Sequence, residues 1–217
     1  MGKIVVTEFI SLDGVVEDPG GVEGFKHGGW VFEFNQGDEG IEFKLHEALS
    51  SEAMLLGRAT YDTFASSWPA QNGEWADKLN SMPKYVVSST LRDPLWNNTT
   101  VVSDDLKELV AVLKSGYGGD VLVHGSTQLA QALLDQDLVD ELRLMVFPVV
   151  LGSGKRLFGD MRDKKPLRQV STRTIGDGVT ILIYEPIRVS GEAAEAPDRS
   201  AQRAAVFDKA GISPRAS

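Results

Sequence analysis

Apolar and β-branched runs alternate with helical spacings along most of the chain. KIVVTEFISL (3–12) has the composition of a strand and stops at the turn signal Asp13-Gly14. The Gly-rich segment EDPGGVEGFKHGGW follows, long enough to hint at a functional loop. Residues 38–50 carry a weak helical pattern, AMLLG (53–57) reads as a strand, and RATYDTFASSW reads as a helix cut off by Pro69. KYVVSS (84–89) repeats the strand pattern. In DDLKELVAVLK the residues Leu106, Leu109, Val110 and Leu113 fall on one helical face, with Ser103 as the expected N-cap and Gly116, Gly118 and Gly119 marking the end.

The second half continues the alternation and then changes it. DVLVHG is a strand that leads into a helix on which Leu129 pairs with Leu133 and Ala130 with Leu134. DELRLMVFPVVLG predicts a long strand, with Pro148 implying a bulge or an edge position. TRTIGDGVTILIYE holds a Gly-Asp-Gly turn between two β-rich runs, which is a hairpin signal. The pattern predicts an α/β domain over 1–187 whose central sheet is mixed but mostly parallel. Residues 188–217, rich in Ala, Ser and charge, read as a largely disordered tail with a short helix around 200–210.

Composition narrows the classes. A chain of 217 residues suits one domain with a tail. It has no cysteine, which excludes disulfides, thiolate metal sites and a cysteine nucleophile, and a cytoplasmic setting fits best. Its net charge of −9 and the lack of a basic run argue against nucleic acid. No stretch has the apolar length of a membrane span, and the N-terminus lacks the apolar core of a signal peptide.

Three junctions stand out: MLLG before RAT, YVVSST, and VLVHG before STQ. Each brings an apolar strand to a point where Gly, Ser or Thr takes over, and in a parallel sheet such points lie at the carboxyl ends where ligands bind. Helix starts there offer backbone N–H groups to phosphate, and glycine permits close approach. Each junction alone reads first as a tight turn with a cap, Ser126 being an ordinary N-cap; three in one chain narrow the gap to a ligand site. No standard nucleotide fingerprint fits. LGSGKR (151–156) resembles the end of a P-loop, but Val149 and Arg156 stand where Gly and a metal-binding hydroxyl are required. His27, His46 and His124 lack metal-ligand spacing, so no metal is expected, and His124 reads as part of its strand's packing.

SLDG (11–14), LLGRATY (55–61), VVSST (86–90), VHGSTQL (123–129) and LVDELRLMVFPVVLGSGKRLF (138–158) resemble, in order, the dihydrofolate reductase superfamily. The branch most similar is the C-terminal reductase domain of the bacterial riboflavin-pathway deaminase-reductase. The resemblance implies a three-layer α/β fold, with helices on both faces of a mixed sheet and an antiparallel hairpin at its end, and NADPH as cofactor. It implies that Gly57, Arg58 and Thr60 meet the cofactor phosphates. Ser88, Ser89 and Thr90 would hold the adenosine 2′-phosphate with Arg92 nearby, and Gly125, Ser126 and Thr127 would seat the pyrophosphate.

On the substrate side the resemblance places Asp13 best as the catalytic acid, with a turn-forming aspartate as the other reading. Trp30 and Tyr61 are candidate stacking surfaces for a flat heterocycle, or core. The expected activity is NADPH-dependent reduction of a small pteridine-like or aminopyrimidine-like heterocycle. The alternative is a nucleotide- or flavin-binding protein without turnover. Relatives of this fold are often dimers, and the strand 140–151 with Pro148 at an edge is the surface a homodimer would use.

Overall fold

Strands buried on both faces need mostly apolar residues, and the central strands here have them, interrupted chiefly by the buried Thr7 and Glu8 and by Arg143. In the computed structural model, which describes residues 1–103 and 105–188, β1 (Lys3–Ser11) is flanked by β5 (Asp120–His124) and β6 (Glu141–Phe147), both parallel to it. Outward from β5 come β2 (Ser51–Gly57), β3 (Lys84–Val87) and β4 (Thr99–Val102), all parallel. Beyond β6 the hairpin of β8 (Val179–Pro186) and β7 (Leu167–Ile175) closes the sheet antiparallel. The eight-stranded order is β4-β3-β2-β5-β1-β6-β8-β7.

Alternation along the strands splits the core between two faces. Ile4, Val6, Leu55, Val121 and Val123 pack against α4 (Leu106–Gly116) and α5 (Thr127–Asp135) on one side. Met54, Leu56 and Val86 face Ala48 of α1 (Gly37–Ser50), Tyr61 of α2 (Arg58–Ser67) and Leu79 of α3 (Glu74–Ser81) on the other. Further along that side, Met145 and Phe147 of β6 pack with Trp30, Val31 and Ile181. Helices on both faces of a mostly parallel sheet are the architecture the chain pattern predicts. Among the described residues no helix is long and apolar enough to cross a membrane.

Some local expectations change. The cap of α4 is Asp105, not Ser103: its Oδ1 accepts from the backbone N–H of Lys107 at 2.8 Å and of Glu108 at 3.3 Å. Pro148 ends β6 rather than bulging it, and β6 is paired on both sides. β6 therefore offers no free edge of its own. Sequence pattern also misses β4 and α3, each a short element with few buried residues. The tail anticipated at 188–217 lies outside the described residues except for Arg188.

Candidate active site

Because β2, β3 and β5 run parallel, their carboxyl ends open on the same edge of the sheet. A cavity of about 1280 Å³ occupies that edge. Of the residues assigned to the cofactor by resemblance, all but Arg92 line it: Gly57, Arg58 and Thr60, then Ser88, Ser89 and Thr90, then Gly125, Ser126 and Thr127. Two of the junctions are bonded to each other. The Gly57 N–H donates to Ser126 Oγ at 2.8 Å, and the Ser126 N–H donates to Thr60 Oγ1 at 2.8 Å. Ser126 is thus no ordinary cap; its hydroxyl oxygen accepts from the neighbouring junction, and its backbone sits in the left-handed region at φ 59°. Gly125 precedes it at φ 52°, and a Cβ there would stand 3.0 Å from Thr60 Oγ1.

Neither α2 nor α5 has a side-chain cap. Their first N–H groups are left for a ligand or water, and the helix dipoles favour an anion there. The side-chain-free approach at Gly125, whose own N–H is engaged by Glu8, and the two uncapped helix starts fit the diphosphate of a dinucleotide. Arg58 is half-exposed and held by its own helix, its Nε donating to both carboxylate oxygens of Asp62 at 2.9 and 2.7 Å. Ser88 Oγ accepts from the N–H of Thr90 and of Leu91, shaping the loop after β3. Arg92 folds back to donate to the carbonyls of Ser89 and Leu91 at 3.1 and 2.9 Å.

The three residues expected on the substrate side are elsewhere. Asp13 does not line the cavity. Its carboxylate accepts from Ser11 Oγ at 2.7 Å and from the N–H groups of Leu151 and Gly152 at 3.1 and 2.9 Å, with Arg156 at 3.3 Å. The Ser11 hydroxyl and those backbone donors hold it at a pKa of about 2, so it carries no proton to give at neutral pH. It pins the turn after β1 to the segment after β6. Trp30 is fully buried, edge-on to Phe147 at 5.3 Å, with Nε1 donating to the Glu17 carbonyl. Tyr61 is core as well, its hydroxyl accepting from the Trp96 N–H at 3.2 Å. Both are apolar mass with a satisfied polar tip.

What the cavity has instead is a polar floor on the α1 side. Lys44 is buried, and its Nζ donates to Thr7 Oγ1 at 2.7 Å and to Glu47 Oε2. The Thr7 hydroxyl in turn donates to the same Glu47 oxygen at 2.9 Å, so the three groups form a closed ring. Burial works to raise the Glu47 carboxyl, but the cations Lys44 and Arg143 hold it below its ordinary value. Arg143 stands 3.7 Å from Glu47 Oε1 and is itself bound by Asp120 and Glu141. Burial, with Lys44 nearby, lowers His124 to about 3, so its imidazole is neutral. A row of rings leads outward from it: Phe64 at 5.9 Å, then Trp68 at 6.1 Å and Trp75 at 5.6 Å, each measured from the ring before. Phe32, 77% exposed, and Ile41, 59% exposed, line the same cavity. The Gly-rich loop contributes Glu17, Pro19, Gly20 and Glu23, and is folded around buried Asp18, which accepts from the N–H groups of Val22, Glu23 and Phe25.

The geometry is that of a sheet-edge cleft with a backbone cradle at one end and an aromatic, lysine-floored compartment at the other. A profile described as the RibD C-terminal domain matches residues 2–181. The chain belongs to that family. YyaP of Bacillus subtilis strain 168, an uncharacterized protein, is 30% identical over 187 residues, spanning 84% of this chain and 94% of its own. A Shewanella sp. PV-4 protein named for riboflavin biosynthesis superposes with a TM-score of 0.68 at 24% identity, covering 86% of this chain and 99% of that one. Acinetobacter baumannii RibD superposes at 0.59 with 18% identity; this chain covers 58% of it, little more than half. These structural likenesses establish the shared fold, and membership of the RibD C-terminal domain family supports a reductase-type enzyme.

Proposed function

We propose that this protein is a reductase that takes hydride from NADPH and passes it to a small heterocycle of the pteridine or aminopyrimidine kind. The observation that carries the reading is the bonded convergence of Gly57, Thr60 and Ser126 at the ends of β2 and β5. It builds one rigid cradle from two helix starts, a seat that suits a diphosphate. Ser88, Ser89 and Thr90 extend that seat along the edge of the sheet toward the adenosine end, with Arg58 as the cation beside the phosphates. When bound, the dihydronicotinamide supplies the hydride; the chain's part is to place its reacting carbon against the acceptor and keep water out.

Calorimetric titration tests this. NADPH is expected to bind more tightly than NADH, and Arg58→Ala to weaken NADPH about tenfold, the worth of one exposed charge-assisted contact. A wild-type protein that binds neither nucleotide overturns the reading. The engagement of Asp13 away from the cavity favours one rival, a nucleotide- or flavin-binding protein without turnover. NADPH oxidation followed across dihydropterin, aminopyrimidine and quinone acceptors separates the two, since binding with no turnover on any acceptor supports the rival.

A further inference from the structure

A hydride transfer to a C=N or C=O bond needs a proton as well, and with Asp13 spent on its turn the donor has to come from the cavity wall. Glu8 lines the cavity and burial raises its carboxyl well above the ordinary value, but strand alternation turns it to the side of Val6 and Ile10, where the Gly125 N–H engages it and its Oε1 is sealed in without a partner. His124 is neutral, with Nε2 also sealed. Glu23 and Asp62 are exposed, and Glu17 is paired with Lys155. Lys44 differs from all of these. An ammonium has three protons; the Thr7–Glu47 ring takes two and fixes the group, the Phe9 ring lies 5.3 Å from Nζ, and no nitrogen or oxygen acceptor among the described residues takes the third.

Resting on the reductase reading above, we propose that Lys44 is the catalytic acid of this site and that Thr7 and Glu47 position it. Lys44 first donates its third N–H to the nitrogen or oxygen of the acceptor bond. As that bond's carbon receives hydride from the dihydronicotinamide, the π pair moves to the nitrogen or oxygen. The Lys44 Nζ–H bond breaks and the new N–H or O–H bond forms. The acceptor is reduced by two electrons, the nicotinamide is oxidised by two, and Lys44 is left as an amine that water entering by the mouth reprotonates. The acceptor ring lies along Phe64 and Trp68, which suits a flat molecule presenting a C=O or C=N edge to the floor.

The first test needs no cofactor. In protein labelled with 15N-lysine, a buried ammonium in slow exchange gives its own cross-peak. The Lys44 peak, identified by its loss in Lys44→Met, is expected to shift when pteridine-2,4-dione is added alone. A peak that does not move overturns the proposal. The second test is turnover across the acceptor panel. Lys44→Met leaves Glu47 short of its counter-ion, so the Lys44→Met/Glu47→Gln pair is compared with it to keep the floor neutral and the protein folded. Both are expected to lose turnover by about 10²–10⁴-fold, the usual worth of a general acid. NADPH affinity is expected to stay within about threefold, and ethylammonium to restore part of the rate in Lys44→Ala. A double variant that binds NADPH and turns over at the wild-type rate overturns the role of Lys44 alone, as does a wild type that binds NADPH and reduces nothing. A wild type that binds no NADPH overturns the reductase reading instead, and the cross-peak shift still reports whether Lys44 meets the ligand.

Discussion

Lys44 and Lys84 are both long cations taken out of water, and they meet different company. Lys84, at the start of β3, is fully buried and donates all three protons to backbone carbonyls: Asn80 at 3.0 Å, Met82 at 2.8 Å and Asn97 at 3.0 Å. The Trp96 ring lies 4.3 Å from its Nζ. Nothing of it is left for a ligand, and it does not line the cavity. Lys44 is neutralised by a carboxylate instead, spends two protons on its ring of partners and faces an open compartment. A buried ammonium saturated by carbonyl dipoles ties loops together. One held by a counter-ion, with a donor to spare at a cavity wall, is set up for chemistry. The difference lies in the count of protons used, not in the depth of burial.

The comparison breaks most sharply at Lys84. Lys84→Met leaves three carbonyls with no donor, and is expected to cost about 2–4 kcal/mol in denaturant unfolding while NADPH affinity and turnover stay at wild-type levels. Burial lowers Lys84 to about 8 in the folded protein, against an ordinary value of 10.5. Between those values the unfolded chain holds a proton the folded chain has released, so this group's contribution to stability increases as pH rises from about 8 to 10.5. Below pH 8 the charged form carries its full burial cost. That alkaline increment is expected to vanish in Lys84→Met. A variant that loses turnover at unchanged stability would erase the distinction between the two lysines.

A smaller effect sharpens the contrast between the cradle and the lysine floor. Ser126→Ala removes the acceptor of the Gly57 N–H but leaves Lys44 untouched. It is expected to cost about 1 kcal/mol in stability and to weaken NADPH about fivefold in titration. The Lys44 cross-peak is expected to respond to pteridine-2,4-dione as in wild type. Loss of that response would mean that the two ends of the cavity are mechanically coupled.

These two ends also differ in how far the sequence reveals them. The cradle is made of short contiguous motifs at strand ends, Gly57-Arg58-Ala59-Thr60 and Gly125-Ser126-Thr127, so alternation of strand and helix places them on one edge before any coordinate is known. The hairpin, α4 and the parallel strands other than β4 are legible for the same reason: their signals are local. The lysine floor is not. Thr7 is 40 residues from Glu47 and 37 from Lys44, and only the packing of α1 on the sheet brings them together. One signal was available in α1, where Lys44 and Glu47 share the buried side with Gly40 and Ala48, positions an apolar residue would ordinarily fill. Trp30 and Tyr61 mislead for the opposite reason. Large aromatics near a motif suit stacking as well as core, and packing against Phe147 and Trp96 decides for core.

Asp13 gives the last and smallest test, because it sets the expectation from resemblance against the role its hydrogen bonds define. The Ser11 hydroxyl and the Leu151 and Gly152 N–H groups hold its carboxyl at about 2 when folded, against 3.8 ordinarily. The unfolded chain therefore takes up this proton first as pH falls. The stability contributed by the group is complete above about pH 4 and is lost as pH drops through 2. Asp13→Asn keeps the shape but weakens the acceptor for four donors, Arg156 among them, so its thermal midpoint is expected to sit a few degrees below wild type at pH 6. The gap is expected to narrow as both are titrated from pH 4 toward 2. Turnover on any acceptor the wild type reduces is expected to persist, since Asp13 stands off the cavity. If instead turnover collapses while the midpoint holds, the proton comes from the turn after β1 and Lys44 is a substrate anchor only.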